Sequence, residues 1–270
     1  VDKADSDDEV DNTSMPLLDH LIELRRRLIY CLVGVILLFF LCYAFAPQIY
    51  GFLVQPLADI LAEKGGERRM IYTALQEAFF TYVKVAFFAA LFLGFPLIAV
   101  QLYRFVAPGL YRHERRAFVP FLVATPVLFF IGGAMAYYVV FPLAWRFFLG
   151  FEMSGENGGL PIRLEAKVEE YLSLVMQLIF AFGLIFEMPV VMTLLARANL
   201  ITAAGMREKR KYAIVIAFIA AAVLTPPDAI SQIGLAVPTI LLYELSILAV
   251  RLVERQAERA RQAAETDATG

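Results

Sequence analysis

The chain has 270 residues, 60% of them hydrophobic and 19% charged, with a formal net charge of −2 and a mean hydropathy of +0.67. A soluble domain is about half apolar and a quarter charged, so a core alone does not account for the excess, and the near-neutral balance gives no sign of a nucleic-acid partner. The apolar residues come in long blocks, and about 20 such residues in a helix cross roughly 30 Å of hydrocarbon.

The chain opens on VDKADSDDEVDNTS. This acidic, polar stretch is the opposite of a basic signal-peptide n-region, and residues 1–15 are expected to form a disordered tail. HLIELRRRL follows (His20–Leu28). At helical spacing His20, Glu23 and Arg27 share one face, and Leu21, Leu24 and Leu28 another. The segment reads either as an interfacial amphipathic helix with solvated charges or as a polar recognition face. The first apolar block, Leu28–Ala46, holds both cysteines, Cys31 and Cys42. They form no CxxC pair and read as packed thiols.

Pro47–Leu75 is mixed. The second block, Gln76–Tyr103, is interrupted by Lys84 near its end, where a lysine stem can snorkel. In the polar stretch FVAPGLYRHERR (Phe105–Arg116), Glu114 is the only acid, among Arg112, Arg115 and Arg116. It reads as a basic topology-fixing loop or as a shaped surface that holds one carboxylate. His113 and His20 are not at ligand spacing. The third block is Ala117–Val140, and a second mixed segment runs Phe141–Glu170. Both mixed segments carry apolar and aromatic residues (Ile49, Tyr50, Phe52, Leu53, Phe147, Phe148), so they are expected to pack together as a cap, with Pro56 acting through backbone shape.

The fourth block, Tyr171–Leu195, contains Glu187 just before Pro189. An ionisable group at that depth costs about 2.5 kcal/mol or more and usually faces a cavity or a partner. The alternative is a glutamate satisfied within the bundle by hydroxyls or by carbonyls freed near Pro189. Gln177, earlier in the same block, extends a polar stripe. After the basic loop Arg197–Lys211 comes a short fifth block, Tyr212–Leu224, about 20 Å of helix and shorter than the hydrocarbon. The turn LTPPD leads into the sixth block, Ile230–Val250. Asp228 either caps that block or, with Gln232, adds to a polar partner surface. Residues 251–270 are charged and Ala-rich, and are expected to continue the last helix into solvent before fraying.

Blocks this long are helices, because hydrocarbon cannot satisfy open backbone groups. Pro96, Pro126, Pro189 and Pro238 predict bends. If the N terminus is cytoplasmic, only Lys64, Arg68, Arg69, Arg146, Arg163 and Lys167 of the 24 basic residues fall on the opposite side, with Lys84 inside a helix. The positive-inside rule then places both termini in the cytoplasm.

HLIELRRRL, Pro56–Leu57, FFTYVK, FVAPGLYRHERR, YVVFPLAW, FGLIFEMPVV, RKY and LTPPDAISQ, in the order of the blocks that carry them, resemble the C-subunit family of the twin-arginine protein translocase. The likeness spans about Pro16 to Val250, so that 16–250 forms the translocase domain between two tails. It implies an all-α fold: six transmembrane helices in a concave bundle with an extracytoplasmic cap, in the bacterial inner membrane. It implies a core receptor, not an enzyme. Such a receptor binds twin-arginine signal peptides of folded cargo and assembles with single-span TatA- and TatB-type subunits, and with further copies of itself, for export driven by the proton-motive force without a cofactor. It places Glu23 and Glu114 against the signal arginines, with His20, Arg25 and Phe105 around them. Pro56 matches a position important for activity, Glu187 the intramembrane acid, and the last two helices, with Gln177, Asp228 and Gln232, the partner-docking region. The residue chemistry is compatible, since a planar guanidinium fork pairs with a carboxylate through two bonds.

A proton-coupled solute transporter using Glu187 and Lys84 is the alternative, although the halves show no inverted repeat. An intramembrane enzyme has no HExxH, GxSxG or P-loop signature to rest on.

Overall fold

The computed structural model describes residues 7–63, 70–106, 119–151, 165–225 and 229–269. All their regular structure is helical: α1 (Asp7–Ala44), α2 (Ala46–Glu63), α3 (Glu77–Val106), α4 (Val119–Met135), a π-helical turn (Ala136–Val140), α5 (Phe141–Phe148) ending in a 3-10 turn (Leu149–Phe151), α6 (Val168–Phe186), α7 (Met188–Arg197), α8 (Ala203–Glu208), α9 (Arg210–Leu224) and α10 (Ala229–Thr269).

Five helical stretches are long and apolar enough to cross a membrane: His20–Ala44, Glu77–Phe105, Pro120–Phe151, Val168–Arg197 and Ser231–Arg259. The short fifth block is α9, with 15 residues, or about 22 Å of helix. The third block extends beyond its expected end. Phe141–Phe151 lies in the same span as α4, and Phe141, Ala144, Trp145 and Leu149 are buried. The run passes Pro142 through the π-helical turn just before it, where the Phe141 amide donates five residues back to Ala136 O. Helices α3, α4 and α10 likewise run on through Pro96, Pro126 and Pro238. The break comes at Glu187, two residues before Pro189, where ψ falls to −11° between α6 and α7. The final helix runs through the charged C-terminal segment to Thr269.

Packing follows small residues and aromatic rings. Helix α1 lies along α3, with Val35 and Cys42 against Ala86, Ala89 and Ala90; both cysteines are free thiols. Helix α4 meets α6 so closely that a Cβ on Gly132 would stand 2.5 Å from the Phe182 carbonyl oxygen. Glycine there lets the two backbones touch, as in helix pairs that have no hydrophobic drive to hold them together. The main core joins Val85, Phe141, Trp145, Leu172, Val175, Phe182 and Leu235. Around it a belt of large apolar side chains faces outward, including Leu37, Phe40, Phe87, Leu93, Tyr138, Ile216, Val223 and Leu241. A belt this extensive is incompatible with water and suits lipid.

The two mixed segments do pack together at one end. Ile71 and Lys167 form a parallel bridge, with Ile71 N–H donating to Ala166 O at 3.1 Å and Val168 N–H to Ile71 O at 3.2 Å. Glu77 Oε2 accepts from the Thr73 and Ala74 amides at 2.7 and 3.2 Å, and its Oε1 from the Glu169 amide at 3.3 Å, so one buried carboxylate ties the starts of α3 and α6. Arg146 pairs with Glu63 at 3.2 Å. Burial, with Tyr72 and Tyr82 nearby, pushes the Tyr50 phenol up to about 12.

Pro56 is buried inside α2. It has no N–H to give to the carbonyl of Phe52, one turn earlier. The Tyr137 hydroxyl, from the π-helical turn, donates to that carbonyl at 2.6 Å, and its ring stacks on Phe52 at 4.4 Å. Tyr171 donates to the next carbonyl, Leu53 O, at 3.1 Å. The proline thus opens one acceptor on α2, which Tyr137 fills, and Tyr171 adds a donor to its neighbour. Tyr137→Phe is expected to lower stability by about 1–3 kcal/mol, the cost of a buried unsatisfied carbonyl, and by clearly less in a Pro56→Ala background that restores an N–H partner. Thermal unfolding of the four proteins in detergent measures this coupling.

Candidate functional site

The last turns of α3 collect the polar groups. Gln101, Tyr103 and Phe105 lie within six residues of its end at Val106, and each meets a group from another helix.

On α1, Glu23 and Arg27 stand one turn apart. Arg27 Nε and Nη2 donate to Glu23 Oε1 at 3.0 and 2.5 Å, and Nη1 reaches across to Gln101 Oε1 at 3.2 Å. Both side chains are mostly covered, at 19% and 24% exposure. One turn before Glu23, the His20 ring stacks on Phe105, with centroids 4.3 Å apart and planes 22° from parallel. The polar face expected at His20, Glu23 and Arg27 is therefore seated on α3, and His20, Glu23 and Phe105 come together. Arg25 is exposed two residues from Glu23, which on a helix turns it to the far side. Glu114 lies outside the described residues.

The second group centres on Glu187. It occupies the α6–α7 break, where it is 8% exposed. The Thr125 hydroxyl on α4 stands beside the Glu187 carboxyl, and Thr125 shares a 2.9 Å hydrogen bond with the Tyr103 hydroxyl on α3. Glu187 Oε1 is buried without a hydrogen-bond partner. Thr193 Oγ1 lies 2.8 Å from both Pro189 O and Val190 O, bonding back about one turn along α7.

Gln177 and Lys84 stand elsewhere. Gln177 is exposed and donates to Leu224 O, at the end of α9, at 3.3 Å. It does not extend a stripe from Glu187, since the two have different neighbours. Lys84 pairs with Glu169 of α6, so it holds a partner where snorkelling alone was expected. Lys84 and Gln177 line one groove of about 340 Å³ between α3 and α6, walled by Phe87, Leu91 and Phe180. Pro56 braces α2. Gln232 is half-buried near the start of α10, and Asp228 lies outside the described residues. At the other end of α10, Glu254 Oε1 accepts from the Ala203 amide at 2.9 Å and Glu244 pairs with Arg210 at 2.6 Å, which fastens α8 and α9 to it.

Gln101, Tyr103, Thr125 and Glu77 were not singled out from sequence. Gln101 and Tyr103 are common residue types at the end of an apolar block, and their pattern carries no signal until the partner helices are in place.

Five membrane-length helices, a capped end and a band of polar side chains on α1, α3, α4 and the α6–α7 break define a multi-pass helical membrane protein. The family described as Sec-independent protein translocase protein (TatC) matches residues 19–238. The Sec-independent protein translocase protein TatC of Magnetococcus marinus is 53% identical over 253 residues, covering 94% of this chain and 89% of that one. The Escherichia coli K12 protein of the same name is 41% identical, covering 87% of each. A crystal structure titled twin arginine translocase receptor TatC superposes with a TM-score of 0.73 at 36% identity, covering 87% of this chain and 99% of that one. The chain belongs to the TatC family and is a membrane component of the Sec-independent protein translocase.

Thr125 is 5% exposed and links Tyr103 to Glu187. Thr125→Val keeps the shape, removes the hydrogen bond to Tyr103 and takes the hydroxyl from beside Glu187. The expected loss is about 1–3 kcal/mol, larger than for Thr125→Ser, read from thermal unfolding in detergent.

Proposed function

We propose that this chain is the signal-receptor subunit of the translocase. It binds the twin-arginine signal peptides of folded cargo at the α1–α3 junction and assembles with single-span TatA- and TatB-type subunits for export driven by the proton-motive force. The observation that carries the reading is that Glu23, half-buried beside the stacked His20 and Phe105, already holds a guanidinium. A carboxylate in this setting suits an arginine, whose planar fork matches its two oxygens. Glu114 supplies the second carboxylate, and Arg25 adds to the cationic surround. With α9 counted as a crossing, the chain spans the bacterial inner membrane six times within residues 16–250, and both termini are cytoplasmic by the basic-residue bias.

The partner subunits dock along α9 and α10, with Glu187, Gln177, Asp228 and Gln232 as the polar contacts. Support comes from the outward apolar faces of α9 and α10 and from the spare buried oxygen of Glu187. A proton-coupled solute carrier would need Glu187 and Lys84 to act together. Lys84 is instead engaged with Glu169 and lines a groove that Glu187 does not reach.

Glu23→Gln is expected to weaken binding of a twin-arginine peptide by about 1.5–3 kcal/mol, the range for hydrogen bonds to charged groups, in a fluorescence binding assay on the purified chain. Glu114→Gln should act similarly, and the double variant should lose less than the sum if both hold one arginine pair. Unchanged binding by the double variant overturns the receptor reading.

For Glu187, Glu187→Gln is expected to retain most export of a folded reporter and Glu187→Ala to lose more, because glutamine keeps a hydrogen-bonding group for a partner helix, worth about 0.6–2 kcal/mol. Equal export by both variants, or a larger loss with glutamine, counts against the partner contact.

A further inference from the structure

We infer that Arg27 is an internal occupant of the Glu23 site: in the resting protein its guanidinium stands where a signal arginine binds, and an incoming arginine displaces it onto Gln101. This rests on Glu23 being a signal carboxylate, as proposed above.

The geometry has three parts. First, Arg27 takes one oxygen of Glu23 with two of its nitrogens, Nε at 3.0 Å and Nη2 at 2.5 Å. A second guanidinium that binds through a two-bond fork needs both carboxylate oxygens, so it cannot seat fully while Arg27 keeps Oε1. Second, the pair is mostly covered. An arginine that simply lost its carboxylate here would be left as a partly buried charge without compensation, which is costly. Third, Arg27 Nη1 already reaches Gln101 Oε1 at 3.2 Å. That acceptor stands on α3, does not depend on Glu23, and remains available when the carboxylate is taken.

The exchange is therefore guanidinium for guanidinium at one carboxylate. The empty receptor keeps Glu23 paired and in position, and the net binding energy of a signal arginine is its own pairing minus that of Arg27. Arg27 sets the affinity of the site, and Gln101 sets how easily Arg27 leaves. Since Gln101 belongs to the turn of α3 that also carries Tyr103, the same displacement redraws the Arg27–Gln101 link between α1 and α3.

The test is binding of a fluorescent twin-arginine signal peptide to the full chain in nanodiscs. Arg27→Gln is expected to tighten binding about two- to fivefold, the size of a partly exposed ion pair. Arg26→Gln removes the same charge from the exposed neighbouring position and should change the affinity much less, which separates release of Glu23 from loss of general repulsion. In a Glu23→Gln background the effect of Arg27→Gln should vanish. Gln101→Met, which removes the second acceptor without touching Glu23, should weaken binding about two- to fivefold. If Arg27→Gln leaves binding unchanged or weakens it while Glu23→Gln still weakens it, Arg27 is a bystander or a positioner of Glu23, and the inference is overturned with the receptor reading intact. If Glu23→Gln itself has no effect, the receptor reading fails and takes the inference with it. Unchanged binding by Gln101→Met overturns the displacement route.

Discussion

In hydrocarbon a polar group must find its partner within the protein, and this constraint organises the whole chain. It makes every span a helix, and it governs each place where a helix departs from regularity. At Pro56 the freed Phe52 carbonyl is taken by Tyr137. Thr193, Thr225, Thr239 and Ser246 each place a hydroxyl on a carbonyl about one turn earlier, at 2.8, 2.8, 2.7 and 2.6 Å. Pro56 thus frees an acceptor that another helix fills, and these hydroxyls spend their donors on nearby backbone.

The same constraint explains why the functional groups cluster. The polar groups gather where the last turns of α3 meet α1 and α4 and where α6 breaks into α7. Glu23, Arg27 and Gln101 form one group there, His20 and Phe105 a second, and Glu187, Thr125 and Tyr103 a third. Positions 101 and 105 of α3, one turn apart, share the face that meets α1, and position 103 between them turns to the other side toward α4. At the opposite end Glu77 plays the bracing role, joining α3 to α6 through backbone amides rather than through another charge.

Much of this was legible in the sequence because bilayer length and apolar composition are one-dimensional properties. Long blocks read as helices, and the shortness of the fifth block was visible in its residue count. The shared face of His20, Glu23 and Arg27 followed from helical spacing alone, and the apolar content of the mixed segments announced that they would pack. Phe141–Phe151 packs with the first mixed segment as expected, and it also continues the α4 helix, because the π-helical turn at Ala136–Val140 carries the run past Pro142. What the sequence did not reveal has a common cause. Lys84 was read in isolation, and its partner Glu169 lies on a different span, close to it only after α3 and α6 are aligned. Gln177 and Glu187 share a block, but the α6–α7 break and their different neighbours separate them.

By itself, then, the sequence determined the class of protein, the approximate lengths of its apolar blocks, the family and the shared face of His20, Glu23 and Arg27. These depend on composition, period and order along the chain. Only the tertiary structure decided which carboxylate is already occupied, which hydroxyl answers Glu187 and which rings enclose the site. Each of those facts is a contact between residues far apart in sequence, such as Arg27 with Gln101, His20 with Phe105, Tyr103 with Thr125 and Tyr137 with Phe52. A hydrogen bond requires about 3 Å and a defined angle, and no local pattern can specify either until the helices that carry the two groups have been packed side by side.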